Sequence, residues 1–288
     1  MGNVMKRCLR GMVCVALALN TMGFATAQTL RDNFDFVTYL VGSGMKDEAV
    51  TLVSSLHGDD DSTAFLKGYT FYNARLLDSA VLFYDRVSPA SELYDEAVFF
   101  SSLSDAHQGR YGRAAERLSR LRPEDSATAN LARFELAGMS LLDRRMDDFD
   151  HLMRLTDTAD YRLAEEASQL WRVRRDIGTH RAKSPFVAGA LSALVPGLGK
   201  VYAGQWGEGI SAFLITGSLM GVTVENWVRC GVTNWKTICA GLLTAVFYAG
   251  NIYGSVVTVK VGMEDFDNQQ NVQILYNIHI PLRSSFRR

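Results

Sequence analysis

The sequence predicts an all-α chain in two parts, an N-terminal α-solenoid of helical hairpins and a helical membrane domain of two to three spans, ending in a short β-like tail. Three observations predict it. Ala49, Ala80, Ala114 and Phe149 each follow a polar turn, at successive separations of 31, 34 and 35 residues, close to the period of helix-turn-helix repeats. Three apolar blocks follow, at 186–202, 207–224 and 238–259, each near the ~20 residues that a bilayer core requires. Val272, Ile274, Tyr276, Ile278 and Ile280 then stand at alternate positions, the period of a strand. The expected divisions are a signal peptide at 1–27, the repeats at 28–178, a basic linker at 179–185, the membrane domain at 186–260 and the tail at 261–288.

Composition excludes one large class of partner. The 288 residues carry a formal net charge of -1 and are 48% hydrophobic. Counterion release along nucleic acid needs a concentrated positive surface, so no nucleic-acid partner is expected.

The N-terminus reads as an export signal, with Lys6, Arg7 and Arg10 before an apolar core at 12–19 and the small residues Ala25-Thr26-Ala27 at a cleavage site. An uncleaved anchor is the alternative. Cys8 and Cys14 leave with a cleaved signal, so Cys230 and Cys239 remain and bracket the connection between two apolar blocks. On an oxidising face they are a candidate disulfide; two unpaired thiols are the equal alternative.

In the repeat region Gly68 stands twelve residues before Ala80 and Phe71 nine before it, while Tyr84 and Leu118 follow their alanines by four. Pro89 and Pro123 each follow by nine, where they end a second helix. This pattern resembles a tetratricopeptide array, although Val37, Ser102 and Ala137 replace the family's glycine in the other repeats. The resemblance implies a curved stack of helix pairs with a concave face that binds a protein partner. An ordinary helical bundle has the same stripes. The aromatics Phe71, Tyr72, Phe83, Tyr84, Phe99 and Phe100 recur at helical spacing and read as core.

Arg172, Arg174, Arg175, Arg181 and Lys183 precede the first apolar block. Such clusters attract anionic head groups and usually mark the cytoplasmic side, against the direction that the signal implies. Long domains translocate largely regardless of charge, so the expectation is export of the repeats, with a retained, cytoplasmic N-terminus as the alternative.

The first apolar block is broken by Pro196-Gly197-Leu198-Gly199, so it is a short span or a re-entrant segment. Pro196, Gly197, Gly199, Tyr202 and Gly204 resemble the P-G-x-G-x-x-Y-x-G turn of short two-span membrane domains. They also resemble an uncharacterised bacterial envelope family that joins an export signal, helical repeats and this hairpin. The resemblance implies a membrane fold and brings no catalytic residue. Gly189 and Ala193, Gly217 and Gly221, and Gly250 and Gly254 are each four apart, a spacing that lets helices approach closely within the hairpin or in a homo-oligomer. Asn251 reads as an interhelical hydrogen bond.

No enzyme, cofactor or metal site is expected. His57, His107, His151, His180 and His279 lack ligand spacing, and Asp59-Asp60-Asp61 reads as a solvated connection. Two functions follow. One is a scaffold in the bacterial inner membrane whose exported repeats recruit a protein partner. The other is an oligomeric pore or transport accessory capped by the repeats.

Overall fold

The computed structural model describes residues 32–286, so the signal-peptide reading at 1–27 lies outside the described residues. Among those residues the fold is all-helical, and the helices belong to two compact units. One holds the chain up to Trp171 together with Ile274 onward; the other is Arg172–Gln273. Both boundaries between the units fall inside helices.

The first unit begins with α1 (residues 32–42), followed by α2 (Lys46–Ser55), α3 (Asp61–Asn73), α4 (Leu77–Tyr84), α5 (Tyr94–His107), α6 (Tyr111–Arg120), α7 (Ser126–Leu142) and α8 (Met146–Leu155). From α2 to α8 each helix packs on the next in sequence, and α3 also touches α5. Four hairpins result, α1/α2 to α7/α8, and they share one turn. Gly44, Arg75, Gly109 and Arg144 all have positive φ, at 81°, 64°, 74° and 60°. In each turn the next amide, at Met45, Leu76, Arg110 or Arg145, bonds the carbonyl five residues back, the closure of a left-handed helix C-cap.

The residue five places after each positive φ is fully buried: Ala49, Ala80, Ala114 and Phe149 are all 0% exposed. Four residues further on, Val53, Tyr84, Leu118 and Met153 are buried as well. The position twelve before is buried each time, and its small residues have local reasons. A Cβ on Gly68 would stand 2.7 Å from the Tyr84 ring, and the Ser102 hydroxyl donates to the Ala114 carbonyl at 2.8 Å. The acidic run is not simply solvated: Asp60 caps α3 by accepting from the Thr63 amide at 2.9 Å, and Asp61 accepts from the Ser88 amide at 2.8 Å.

Helix α9 (Ala164–Thr179) crosses the boundary between the units. In the second unit follow α10 (Pro185–Leu194), α11 (Leu198–Ala203), α12 (Trp206–Cys230) and most of α13 (Trp235–Ser285). Two helices, α12 and α13, are long and apolar enough to cross a membrane; only 11% of the apolar window of α12 and 22% of that of α13 is buried. Exposed apolar surface on that scale needs lipid or protein to cover it. At ten residues α10 is about 15 Å long, half a bilayer core. The first apolar block is thus a short helix and a turn.

The alternation at 272–280 forms no strand. Those residues are the last part of α13, where Ile274, Ile278 and Leu282 are 0% exposed while Val272 and Tyr276 face outward. The expected strand face shares Ile274 and Ile278 with a helical stripe that continues to Leu282. A helix satisfies its own backbone, whereas a lone strand leaves its amides unpaired.

Candidate functional site

In the second unit the Pro-Gly motif builds a tight reversal. Ser184 caps α10, with Pro185 at its first turn, and the chain turns after Val195. Gly197 has φ 86°, and a Cβ there would stand 2.0 Å from the Gly209 carbonyl oxygen; a Cβ on Gly199 would stand 2.0 Å from that of Ala188. Both obstacles are backbone, so no side-chain motion relieves them. The Tyr202 hydroxyl accepts from the Ser184 amide at 3.2 Å, and the Lys183 ammonium donates to the Ala203 carbonyl at 3.0 Å. Gly204 closes α11 at φ 99°. All five motif residues are therefore brought together, and what they do is hold backbone against backbone.

A polar chain runs from this turn into α13. The Gly199 amide donates to Ser192 Oγ (3.0 Å), and Ser192 meets Ser255 Oγ (2.7 Å). Ser255 donates to the Asn251 carbonyl at 2.9 Å. Because that bond uses the Ser255 proton, Ser192 is the donor to Ser255, and every member is satisfied. Tyr248 adds a hydroxyl bond to the Ala193 carbonyl at 2.5 Å. Ser192 and Ser255 escaped the sequence reading because a serine inside an apolar block has no periodic signal.

Within the single chain, four of the expected packing glycines make no close contact. Added Cβ atoms on Gly217, Gly221 or Gly250 would meet nothing within 4 Å, and one on Gly254 only Lys200 Cε at 3.8 Å. Instead, Thr223 and Thr244 share a hydroxyl hydrogen bond at 2.8 Å between α12 and α13. The close small-residue contact lies at Gly189, where a Cβ would come within 2.9 Å of Val256 Cγ2. Cys230 and Cys239 are both exposed free thiols. The Asn251 side chain is buried, yet neither its nitrogen nor its oxygen has a partner, so the expected interhelical bond is not made.

In the first unit the end of α13 lies against the odd-numbered helices. A Cβ on Gly138 of α7 would fall 2.4 Å from Ile278 Cγ2. Tyr72 of α3 meets His279 Nδ1 at 3.1 Å, and Phe99 of α5 packs on Phe286 with ring centroids 5.5 Å apart. Burial, with the nearby Arg283, His107 and Arg75 cations, lowers the pKa of His279 to about 4. The imidazole is therefore neutral at pH 7, and the Tyr72 hydroxyl and Nδ1 share one hydrogen bond whose direction follows the tautomer. Burial and Arg75 lower His107 in the same direction. Glu135 of α7 is buried with its Oε1 unpartnered, and burial pushes its pKa well above the usual carboxylate range.

Elsewhere in this unit Asp105, fully buried, accepts from Arg110 Nε (2.6 Å), Arg117 Nε (2.8 Å) and Arg113 (3.2 Å). Arg110 also reaches Asp78, and Arg117 reaches Asp85, so this network bolts the α3/α4 hairpin to α5/α6. Among the described residues no cluster of three His, Cys, Asp or Glu could hold a metal ion. No family model, no curated protein and no solved structure matches the chain.

Proposed function

We propose that this protein is a membrane-anchored interaction scaffold of the bacterial cell envelope, with a tetratricopeptide-like solenoid exported from an inner-membrane hairpin. The observation that carries the reading is the buried stripe Ile274, Ile278 and Leu282 on a helix end whose Ile278, His279 and Phe286 meet α7, α3 and α5. A face built from the first helices of successive hairpins is a groove that accepts an apolar helical stripe, the helix-in-groove mode of recognition. Here the chain supplies that helix itself, so a partner helix either replaces it or docks on the outer surface. The four equivalent turns support the tetratricopeptide-like part of the reading.

Photo-reactive residues placed at the exposed Leu76, Leu82 and Leu155 in the full-length membrane protein test it. Discrete adducts with one other protein are expected, strengthened by Ile278→Asp, which frees the groove. Reporter fusions at residues 231–234 and at the C-terminus test the orientation; a cytoplasmic C-terminus overturns export. The second reading, an oligomeric pore or transport accessory, is favoured by the open space over Gly217, Gly221 and Gly250. Adducts formed only from α12 and α13, and only with copies of the same chain, would replace the scaffold by that assembly.

A further inference from the structure

The Arg172–Gln273 unit contains a cavity of about 710 Å³ between α12 and α13, with Lys200 and Glu208 at one end and Asn251 in its wall. That volume lies within the range of small-molecule sites. We propose that it is a binding site for a phospholipid whose headgroup carries both a phosphate and a primary amine. The proposal rests on the reading that α12 and α13 lie in a bilayer.

Three observations converge on this ligand. Asn251 is 8% exposed, and both atoms of its side-chain amide are without a partner. An amide at that depth in an apolar helix is costly to leave unpaired, so it points to an occupant with polar atoms. Ile215 of α12 and Val246 and Phe247, about one turn before Asn251 on α13, line the same cavity and are themselves exposed at the helix surface, which suits an acyl chain entering from the lipid side. The same lining holds a balanced ion pair, Lys200 Nζ to Glu208 Oε2 at 3.2 Å, with Glu208 in the first turn of α12.

The charges select the headgroup. A lone lysine would favour any anionic lipid, but a carboxylate beside it repels a headgroup that is only negative. A phosphate on Lys200 with an ammonium on Glu208 satisfies both. The spacing fits as well. Lys200 Cε lies beside Gly254, three residues or about 4.5 Å along the helix from Asn251. That is the step from a phosphate to the acyl esters, where Asn251 Nδ2 donates to an ester carbonyl.

The test is native mass spectrometry of the full-length protein in mild detergent, titrated with phosphatidylethanolamine, phosphatidylglycerol and phosphatidylcholine of matched chains. Phosphatidylethanolamine should be retained at least about fivefold better than the other two. Asn251→Leu should reduce that retention while leaving thermal stability in lipid-free detergent unchanged or raised, the opposite of what a purely structural amide would do. Charge reversal in the pair Lys200→Glu with Glu208→Lys should keep the preference, whereas Glu208→Gln alone should shift it toward phosphatidylglycerol. Glycerophosphoethanolamine, which lacks the chains, should compete weakly; strong competition would assign the site to a soluble headgroup and overturn the lipid. Equal retention of the three lipids, equal retention by Asn251→Leu, or a second copy filling the cavity as a lipid-free dimer overturns the proposal. Failure of the wild-type protein to enter liposomes overturns the bilayer reading too, and is read separately.

Discussion

Gly138 and Ile278 give the sharpest test of how the tail is held. Ile278 is fully buried, and its Cγ2 would stand 2.4 Å from a Cβ on Gly138, while its Cβ would stand at an ordinary 3.6 Å. Ile278→Ala removes the methyl groups that fill this contact and should cost about 2–4 kcal/mol. Gly138→Ala alone gains about 1 kcal/mol of helix propensity but must push Ile278 aside, at a cost of about 1–3 kcal/mol, so its net effect is neutral to destabilising. In the Ile278→Ala background the obstructing methyl is gone. The same Gly138→Ala change should then stabilise by up to about 1 kcal/mol. The two substitutions are thus coupled by about 1–3 kcal/mol, within the range for residues in direct contact. Hydrogen–deuterium exchange of the 274–282 amides, in the full-length protein in detergent, reads the opening free energy of the tail for all four variants. Strict additivity, or unchanged protection in Ile278→Ala, would refute the packing of α13 on α7.

Gly197→Ala and Gly199→Ala place a methyl against a carbonyl oxygen at 2.0 Å and should each cost more than about 3 kcal/mol, whereas Gly217→Ala and Gly250→Ala meet open space and should be neutral to stabilising by up to about 1 kcal/mol; thermal unfolding in detergent separates the two groups. Asp105→Asn weakens a fully buried acceptor of three arginines and should destabilise the hairpins by about 3 kcal/mol, seen as a lower midpoint in the same assay. His279 titrates near 4 in the fold against 6.5 unperturbed, so between those values the unfolded chain binds more protons. Its contribution is complete above pH 6.5 and lost as pH falls toward 4, by about 2 kcal/mol once its partial exposure is discounted. Exchange of the tail amides across that window should show the loss, and His279→Phe should abolish it.

The register of the hairpins was legible because it rests on a long-period signal. Ala49, Ala80, Ala114 and Phe149 are fully buried at the spacing read from the sequence, since a helix pair that meets its neighbour in the same way needs the same small or apolar residue each time. The left-handed turn position was not legible: Gly44 and Gly109 occupy it, but Arg75 and Arg144 take it too, against the usual preference. The tail was misread because alternation and an i, i+4 stripe share Ile274 and Ile278, and only a partner surface decides between them. That surface is more than a hundred residues away at Gly138 and Tyr72, a separation that local periodicity does not sample. The cavity around Asn251 was hidden for the same reason, as its polar end comes from Lys200 and Glu208 and its wall from α13.

The position of the tail also constrains how the chain can pass a bilayer. Residues from Ile274 onward form one compact unit with the hairpins, so under the proposed membrane reading the segment from Arg172 to Gln273 returns to the side it left. An even number of crossings meets that condition and three do not. The sequence offers three apolar blocks, and their count alone would put the tail on the wrong side. Gly197 and Gly199 remove the conflict, since the turn they permit ends α10 after ten residues and reverses the chain before it could cross. A Cβ at either position strikes a carbonyl oxygen, so under the proposed membrane reading the turn leaves α12 and α13 as the two candidate spans.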